Sequence, residues 1–223
     1  MQYTAIIIEP RKHAALRFVI HNMLENLSSE WGMVIFHGSQ NKEYVYEIIH
    51  ELDPSRLRIV NVVNLHMSNL NNASYSKILI TPAFYNFIPT ETFLIFQTDT
   101  MILPPHKHVI HMFLEYDYVG APWKNGRVGN GGLSLRKKSK MLEIIQKKPY
   151  TNRQEDEYFS LHIPDSISYH VPSFEMAKHF SVETVFYDTP FGIHNCWKYL
   201  SSQEVGELIK IYPEITTLIR LQS

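Results

Sequence analysis

Residues 94–100, Leu-Ile-Phe-Gln-Thr-Asp-Thr, run an apolar segment straight into a single carboxylate. Leu94, Ile95 and Phe96 have the continuous, β-rich character of a strand covered on both faces. Asp99 falls where such a strand leaves its sheet, and Met101-Ile102-Leu103 resumes the apolar run until Pro104-Pro105 stops it. Open α/β sheets gather their ligand chemistry beyond the carboxyl ends of their strands. Standing alone, Asp99 also reads as an ordinary turn aspartate.

Upstream of this stretch the pattern alternates. Tyr3 to Ile8 reads as a strand, and Leu16, Val19, Ile20, Met23, Leu24 and Leu27 recur at helical spacing. Met33 to Phe36 is a second strand, followed by a helix marked by Val45, Ile48, Ile49 and Leu52, and Ile59 to Val63 a third strand. Ser74 to Phe87 reads as a helix that Pro82 must bend or interrupt. Strands alternating with helices of this length predict right-handed βαβ units, hence an α/β fold with a mostly parallel central sheet flanked by helices. Downstream, His106 to Leu114 reads as a helix, Tyr116 to Val119 as a strand, Ser139 to Gln146 and Glu155 to Leu161 as helices, and Glu204 to Ile209 as a last helix. Residues 164–200 have no clean period and are expected to be irregular. With no repeat or linker in the sequence, one domain spanning 1–223 is the expectation.

Composition narrows the function. The net charge of −1 lacks the basic excess that a nucleic-acid phosphate backbone requires. A single cysteine, Cys196, cannot form an internal disulfide and suits a reducing compartment. The first apolar run, Ala5 to Ile8, is too short for a secretory signal, and nothing approaches the roughly 18 apolar residues of a membrane helix. A cytoplasmic protein is expected.

Three further blocks carry candidate chemistry. Tyr118 to Trp123 leads into Val128-Gly129-Asn130-Gly131-Gly132-Leu133-Ser134-Leu135-Arg136, where three glycines in four positions leave a backbone open to close approach, or simply make a tight bend. The spacing matches neither the GxxxxGK(S/T) phosphate loop nor the GxGxxG dinucleotide fingerprint. Asn152 to Phe159 places Glu155, Asp156 and Glu157 at a helix start. Negative charge is favoured there by the dipole, and one acid facing a cleft would serve as a general base. Thr189 to Trp197 contains His194. With Asp99 it would offer one oxygen and one nitrogen to a divalent ion, the remainder coming from water and phosphate. His106, His108 and His111 also look metal-like, but no nearby cysteine or ExxH partner supports a zinc site.

In this order the blocks resemble the DUF5672 family of GT-A-like glycosyltransferases. Gln97-Thr98-Asp99, Tyr116 to Trp123, Gly129 to Arg136, Glu155-Asp156 and Pro190 to Trp197 match its QTD, YDYVGAPW, GNGGLSLR, ED and PFGxH-x-x-W segments. The resemblance implies a GT-A, Rossmann-like architecture. Residues 1–103 would form a nucleotide-sugar-binding half, 104–200 an acceptor and catalytic half, and 201–223 a helical tail. It implies a nucleotide-sugar donor, a UDP-sugar first among them, a glycan or other hydroxyl acceptor, and Mn2+ or Mg2+ on the diphosphate. Asp99 and His194 would hold the metal; Gln97 stands where the DxD pattern has its first acid, so one carboxylate is missing. Glu9, Arg11, His37 and Gly38, at the first two strand ends, would meet base and ribose, Gln97 and Thr98 would also bind the donor, and Lys77 would meet the diphosphate. Trp123, Asn130, Gly131 and Gly132 would face the sugar or acceptor. Asp156, with Glu155 second, would be the base of an inverting transfer. The alternatives are a non-catalytic nucleotide-sugar or glycan-binding subunit, suggested by Gln97, and a sugar nucleotidyltransferase. Against the latter, residues 8–12 contain no glycine-rich loop for a triphosphate.

Overall fold

A computed structural model describes residues 1–53, 55 and 60–222. In chain order the principal elements are β1 (Tyr3–Glu9), α1 (Leu16–Asn26), β2 (Trp31–His37), α2 (Lys42–His50), β3 (Val60–Asn64), α3 (Asn72–Leu79) and β4 (Thr92–Phe96). There follow β5 (Thr100–Ile102), β6 (Tyr118–Gly120), β7 (Leu133–Lys137), α4 (Lys138–Lys147), α5 (Glu155–Ser160) and α6 (Phe174–Lys178). The chain ends with β8 (Ser181–Val182), β9 (Gly192–His194), α7 (Ser202–Ile211) and α8 (Glu214–Arg220).

The central sheet has the order β3-β2-β1-β4-β7-β6. β1 to β4 are mutually parallel, whereas β7 runs antiparallel to both of its neighbours. β7 is thus the one reversed strand of a mostly parallel sheet. The continuous apolar runs of β1, β2 and β4 follow from burial on both faces. Ala5, Ile7, Met33, Ile35, Leu94 and Phe96 pack with Leu16, Val19, Ile20 and Met23 of α1 on one side. Ile6, Ile8, Val34, Phe36, Phe93 and Ile95 pack with Leu79 of α3 and Met141 and Ile144 of α4 on the other.

The strand order turns back between β1 and β4, so the crevice beyond their carboxyl ends lies between Glu9 and Gln97-Thr98-Asp99. A second sheet, β5-β9-β8, continues directly from Asp99. β5 and β9 are antiparallel with Thr100 opposite His194, and this register brings residues 94 positions apart to one place. Asn22 of α1 anchors β5: its amide donates to Ile102 O at 3.0 Å and its carbonyl accepts from Ile102 N at 2.7 Å.

Two expected helices differ from the sequence reading. Ser74–Phe87 divides into α3 and a 3-10 segment, Pro82–Phe87, because proline lacks an N–H and holds Thr81 extended. The helix expected over 106–114 is a 3-10 run, Pro104–Met112. Residues 164–200, expected to be irregular, contain β8 and β9, whose two and three residues are too short to reveal a period. The third strand is Val60–Asn64; Ile59 lies outside the described residues. Among the described residues no helix is long and apolar enough to cross a membrane.

Candidate active site

A cavity of about 370 Å3 opens beyond β4, lined among others by Gln97, Asp99, Asn130, Gly131, Gly132, Glu155, Asp156, Glu183 and His194. Three of the four sequence blocks outside the N-terminal strands converge here on Asp99. A smaller crevice of about 170 Å3 adjoins it, lined by Glu9, Arg11, Thr98 and Asp99 and sharing Asn72, Tyr75 and Gln97. The two together occupy the β1–β4 switch point.

Asp99 is set by a tight turn: Thr100 donates to Gln97 O from its backbone N at 3.3 Å and from its hydroxyl at 2.7 Å. Asn195 N donates to Asp99 O at 2.9 Å. His194 Nε2 lies 3.4 Å from Asp99 Oδ1, and its Nδ1 lies 3.3 Å from Glu183 Oε1. These are ion-pair separations without hydrogen-bond alignment, and both Asp99 Oδ1 and His194 Nδ1 are buried without a hydrogen-bond partner. Burial opposes charge on His194, but the two carboxylates outweigh it and raise the imidazole to about 9. Burial would likewise raise Asp99, yet His194 beside it, aided by Lys198, holds it below the usual carboxylate range.

Asp99 Oδ1, buried without a hydrogen bond, would offer a divalent ion one oxygen ligand, and the His194 imidazole one nitrogen once it gives up its proton. Together they make a partial shell. No group of three His, Cys, Asp or Glu side chains placed to hold a metal occurs among the described residues, and His106, His108 and His111 form none either.

Opposite this pair sits the acidic helix start. Asp156 accepts from Gly131 N at 3.3 Å through Oδ2 and from Glu157 N at 2.7 Å through Oδ1. Burial, then the neighbouring Glu155 charge, raises its carboxyl to about 6 despite these two donors. Glu155 is differently occupied. Both its oxygens accept from the buried Arg136 guanidinium, at 2.6 and 3.1 Å, a bidentate pair that leaves it anchored to the frame instead of free to take a proton. Arg136 also donates to Ser134 Oγ at 2.9 Å and lies over the Tyr118 and Phe159 rings at 4.9 and 5.7 Å.

The glycines matter for what they leave out. A β-carbon on Gly132 would collide with the His194 ring, and one on Gly131 with the Glu155 carboxylate and Asp156. Asn130 links the two sides: its amide donates to Glu183 at 2.8 Å, and its carbonyl accepts from Gly132 N at 3.1 Å.

Other expected residues stand elsewhere. Glu9 accepts from Arg11 through backbone N, Nε and Nη2 at 2.7–2.8 Å, so this pair forms one wall of the crevice. His37 and Gly38 support that wall from behind. His37 Nδ1 is 2.7 Å from Gly38 O, Gly38 is wedged against Pro10 and Met67, and Asn41 ties Gly38 N to Glu9 O and Arg11 O. Lys77 lines a neighbouring groove, not the crevice, because it lies on the side of α3 that faces residues 150–154. Trp123 does not line the cavity; its ring lies against Gly129. Glu183, Asn195 and Lys198 line the cavity without having been singled out in the sequence. An acid between Val182 and Val185 was the available signal for Glu183.

This architecture is shared by GT-A-like glycosyltransferases and nucleotidyltransferases. The glycosyltransferase GlyE of Streptococcus pneumoniae TIGR4 aligns with a TM-score of 0.55 at 12% identity, over 99% of this chain and 62% of that one. The inositol-1-phosphate CTP transferase of T. maritima aligns with 0.50 at 12%, over 95% and 96%. The mannosyltransferase PcManGT of Pyrobaculum calidifontis, in complex with GDP-Man and Mn2+, aligns with 0.51 at 9%, over 70% of this chain and 50% of that one. No curated protein matches the sequence. The chain belongs to the DUF5672 family, whose model, described as a protein of unknown function, matches residues 59–194.

Proposed function

We propose that the chain is a glycosyltransferase that moves a sugar from a nucleotide-sugar donor to a hydroxyl acceptor. The observation that carries this reading is one cavity with two unlike acidic sites: the Asp99–His194 pair, and Asp156 raised to about 6. Environments that push neighbouring carboxyls apart separate a charge-binding group from a proton-transfer group. The nucleoside occupies the crevice walled by Glu9, Arg11 and Thr98, with a UDP-sugar the first donor to test. The diphosphate lies toward Asp99 and Lys198. Asp99 and His194 would hold Mn2+ or Mg2+, which when bound neutralises charge on the departing diphosphate.

Asp156, ionised at neutral pH and still basic, accepts the proton of the acceptor hydroxyl. The acceptor oxygen forms its bond to the anomeric carbon as the bond from that carbon to the diphosphate oxygen breaks. The electron pair leaves with the nucleoside diphosphate, and attack on the opposite face inverts the centre. Gly131 N–H and Glu157 N–H keep the Asp156 carboxylate aimed, while Arg136 fixes Glu155 immediately before it.

Gln97 supports a second reading, a nucleotide-sugar-binding subunit without turnover, since it removes one acid from the diphosphate site. A thermal-shift panel of nucleotide sugars with and without Mn2+ tests binding, because a ligand of the folded state raises its melting point. Transfer or donor hydrolysis by the wild type, lost in Asp156→Asn with binding intact, supports the enzyme. Binding without turnover over a broad acceptor panel favours the subunit. Pyrophosphate release from a nucleoside triphosphate and a sugar phosphate would replace both with nucleotidyl transfer.

A further inference from the structure

A groove of about 760 Å3 runs beside the catalytic cavity, and Asn72, Ser76 and Gln154 line both. Gln154 immediately precedes Glu155-Asp156, and Glu155 N donates to Ser76 Oγ at 3.2 Å, so the groove ends at the proposed base. Its chemistry is unlike that of the cavity. The cavity carries Asp99, Glu155, Asp156 and Glu183, whereas no acid lines the groove, and its charged members are Lys77 and Arg153.

Neither cation is closely paired. The Lys77 ammonium has no hydrogen-bond or ion-pair partner among the described residues. Arg153 reaches Glu157 only at 3.9 Å, with both side chains about half exposed. Asn152 and Gln154 add carboxamides, which both donate to and accept from hydroxyls. Tyr150 adds an apolar face held at two points. Its hydroxyl donates to Arg153 O at 3.0 Å, and its ring packs edge-on against Tyr158 at 5.6 Å.

We infer that this groove is the acceptor site and that the acceptor is an acidic glycan, a pyranose bearing a carboxylate or phosphate group. This rests on the transferase reading above. Carboxylate and phosphate are alike in the charge-assisted hydrogen bonds they accept from Lys and Arg. The carboxamides and Tyr150 meet the hydroxyls and the C–H face of the ring, and the reacting hydroxyl projects past Gln154 to Asp156.

Calorimetry on the full chain with UDP and Mn2+ present, titrating methyl glucuronide, methyl glucoside 6-phosphate and uncharged methyl glucoside, provides the test. At least one acidic probe is expected to bind about tenfold more tightly than the neutral one, with the advantage shrinking at high salt. Lys77→Gln/Arg153→Gln is expected to abolish that advantage while UDP affinity and melting temperature hold. A response to glucuronide alone identifies a carboxylate acceptor, and to the 6-phosphate alone a phosphate ester. Equal affinity for the neutral probe, no binding of either acidic probe, or a double variant that leaves the advantage intact overturns the inference. So does a double variant that weakens UDP instead, which would give the groove to the donor. Failure of every common nucleoside diphosphate, UDP and GDP included, to bind the wild type overturns the transferase reading, a separate result.

Discussion

Removing one partner of the Arg136–Glu155 pair is expected to cost more stability than any other polar substitution near the cavity. Arg136 is fully buried, and Glu155 nearly so. In Glu155→Gln the guanidinium keeps one oxygen acceptor at that position, together with Ser134 Oγ at 2.9 Å, but loses its counter-charge. Leaving a buried charge uncompensated costs about 3–5 kcal/mol. For a chain of this length that is a fall in melting temperature of roughly 6–20 °C. Arg136→Met exposes the converse defect, an unpaired carboxylate pressed against Gly131 and Asp156. Arg136→Met/Glu155→Gln removes both charges, so the double variant should lie well above the sum of the singles, with a coupling of up to about 3 kcal/mol. Urea unfolding of the four proteins under identical buffer measures the cycle. Two single variants each within about 1 kcal/mol of wild type, or strictly additive losses, would refute the claim that this pair is a buried frame.

Asp156→Asn should stabilise the fold while removing transfer. A carboxyl whose pKa is raised from 3.8 to about 6 penalises the folded state when ionised, by up to about 3 kcal/mol. Because the folded value is the higher one, stability declines as pH rises from about 4 through 6, so the gain from Asn should be absent at pH 4 and complete by about pH 8, as urea midpoints across that range would reveal. In the wild type kcat/KM should fall about tenfold per pH step below 6, as the base is protonated; a flat acid limb excludes Asp156 as that base. Asp99→Ala and His194→Ala should each abolish the Mn2+-dependent part of the UDP thermal shift, and an unaltered shift in both would remove them from the metal. Gly132→Ala should displace the His194 ring and weaken nucleotide binding at least tenfold, measured by calorimetry; wild-type affinity would mean the loop relaxes without disturbing the site.

The sheet was legible because β1, β2 and β4 are buried on both faces, and continuous apolar runs admit little else. Asp99, Asp156, Gly131, Gly132 and His194 were legible as residue types in ordered blocks, and the structure brings all five to one cavity. What joins them was not legible. The register of β5 on β9 rests on strands of three residues, below the length at which periodicity speaks. Glu183 was missed because it stands out only through its contacts, with Asn130 53 positions away and with His194 on the neighbouring strand. Lys77 was legible as a cation on this helix, but the groove it faces was not, since α3 spans barely two turns and offers no amphipathic stripe to orient it. Glu155 and Asp156 were ranked in the sequence by the family resemblance alone; the structure separates their surroundings, the buried Arg136 holding Glu155 and backbone N–H groups meeting Asp156.

The short sheet that begins one residue after Asp99 has a mechanical consequence. β5 and β9 are three residues each and β8 two, so few ladder hydrogen bonds hold the segment around His194 to the sheet that carries Asp99. Any ligand spanning those two side chains acts as a clasp across this seam. Occupancy would then be recorded in the backbone: amide exchange at 100–102 and 192–194 should slow on loading, while β1 and β2, already locked inside the molecule, stay as they were. The site would thereby tell the C-terminal third of the chain whether it is full.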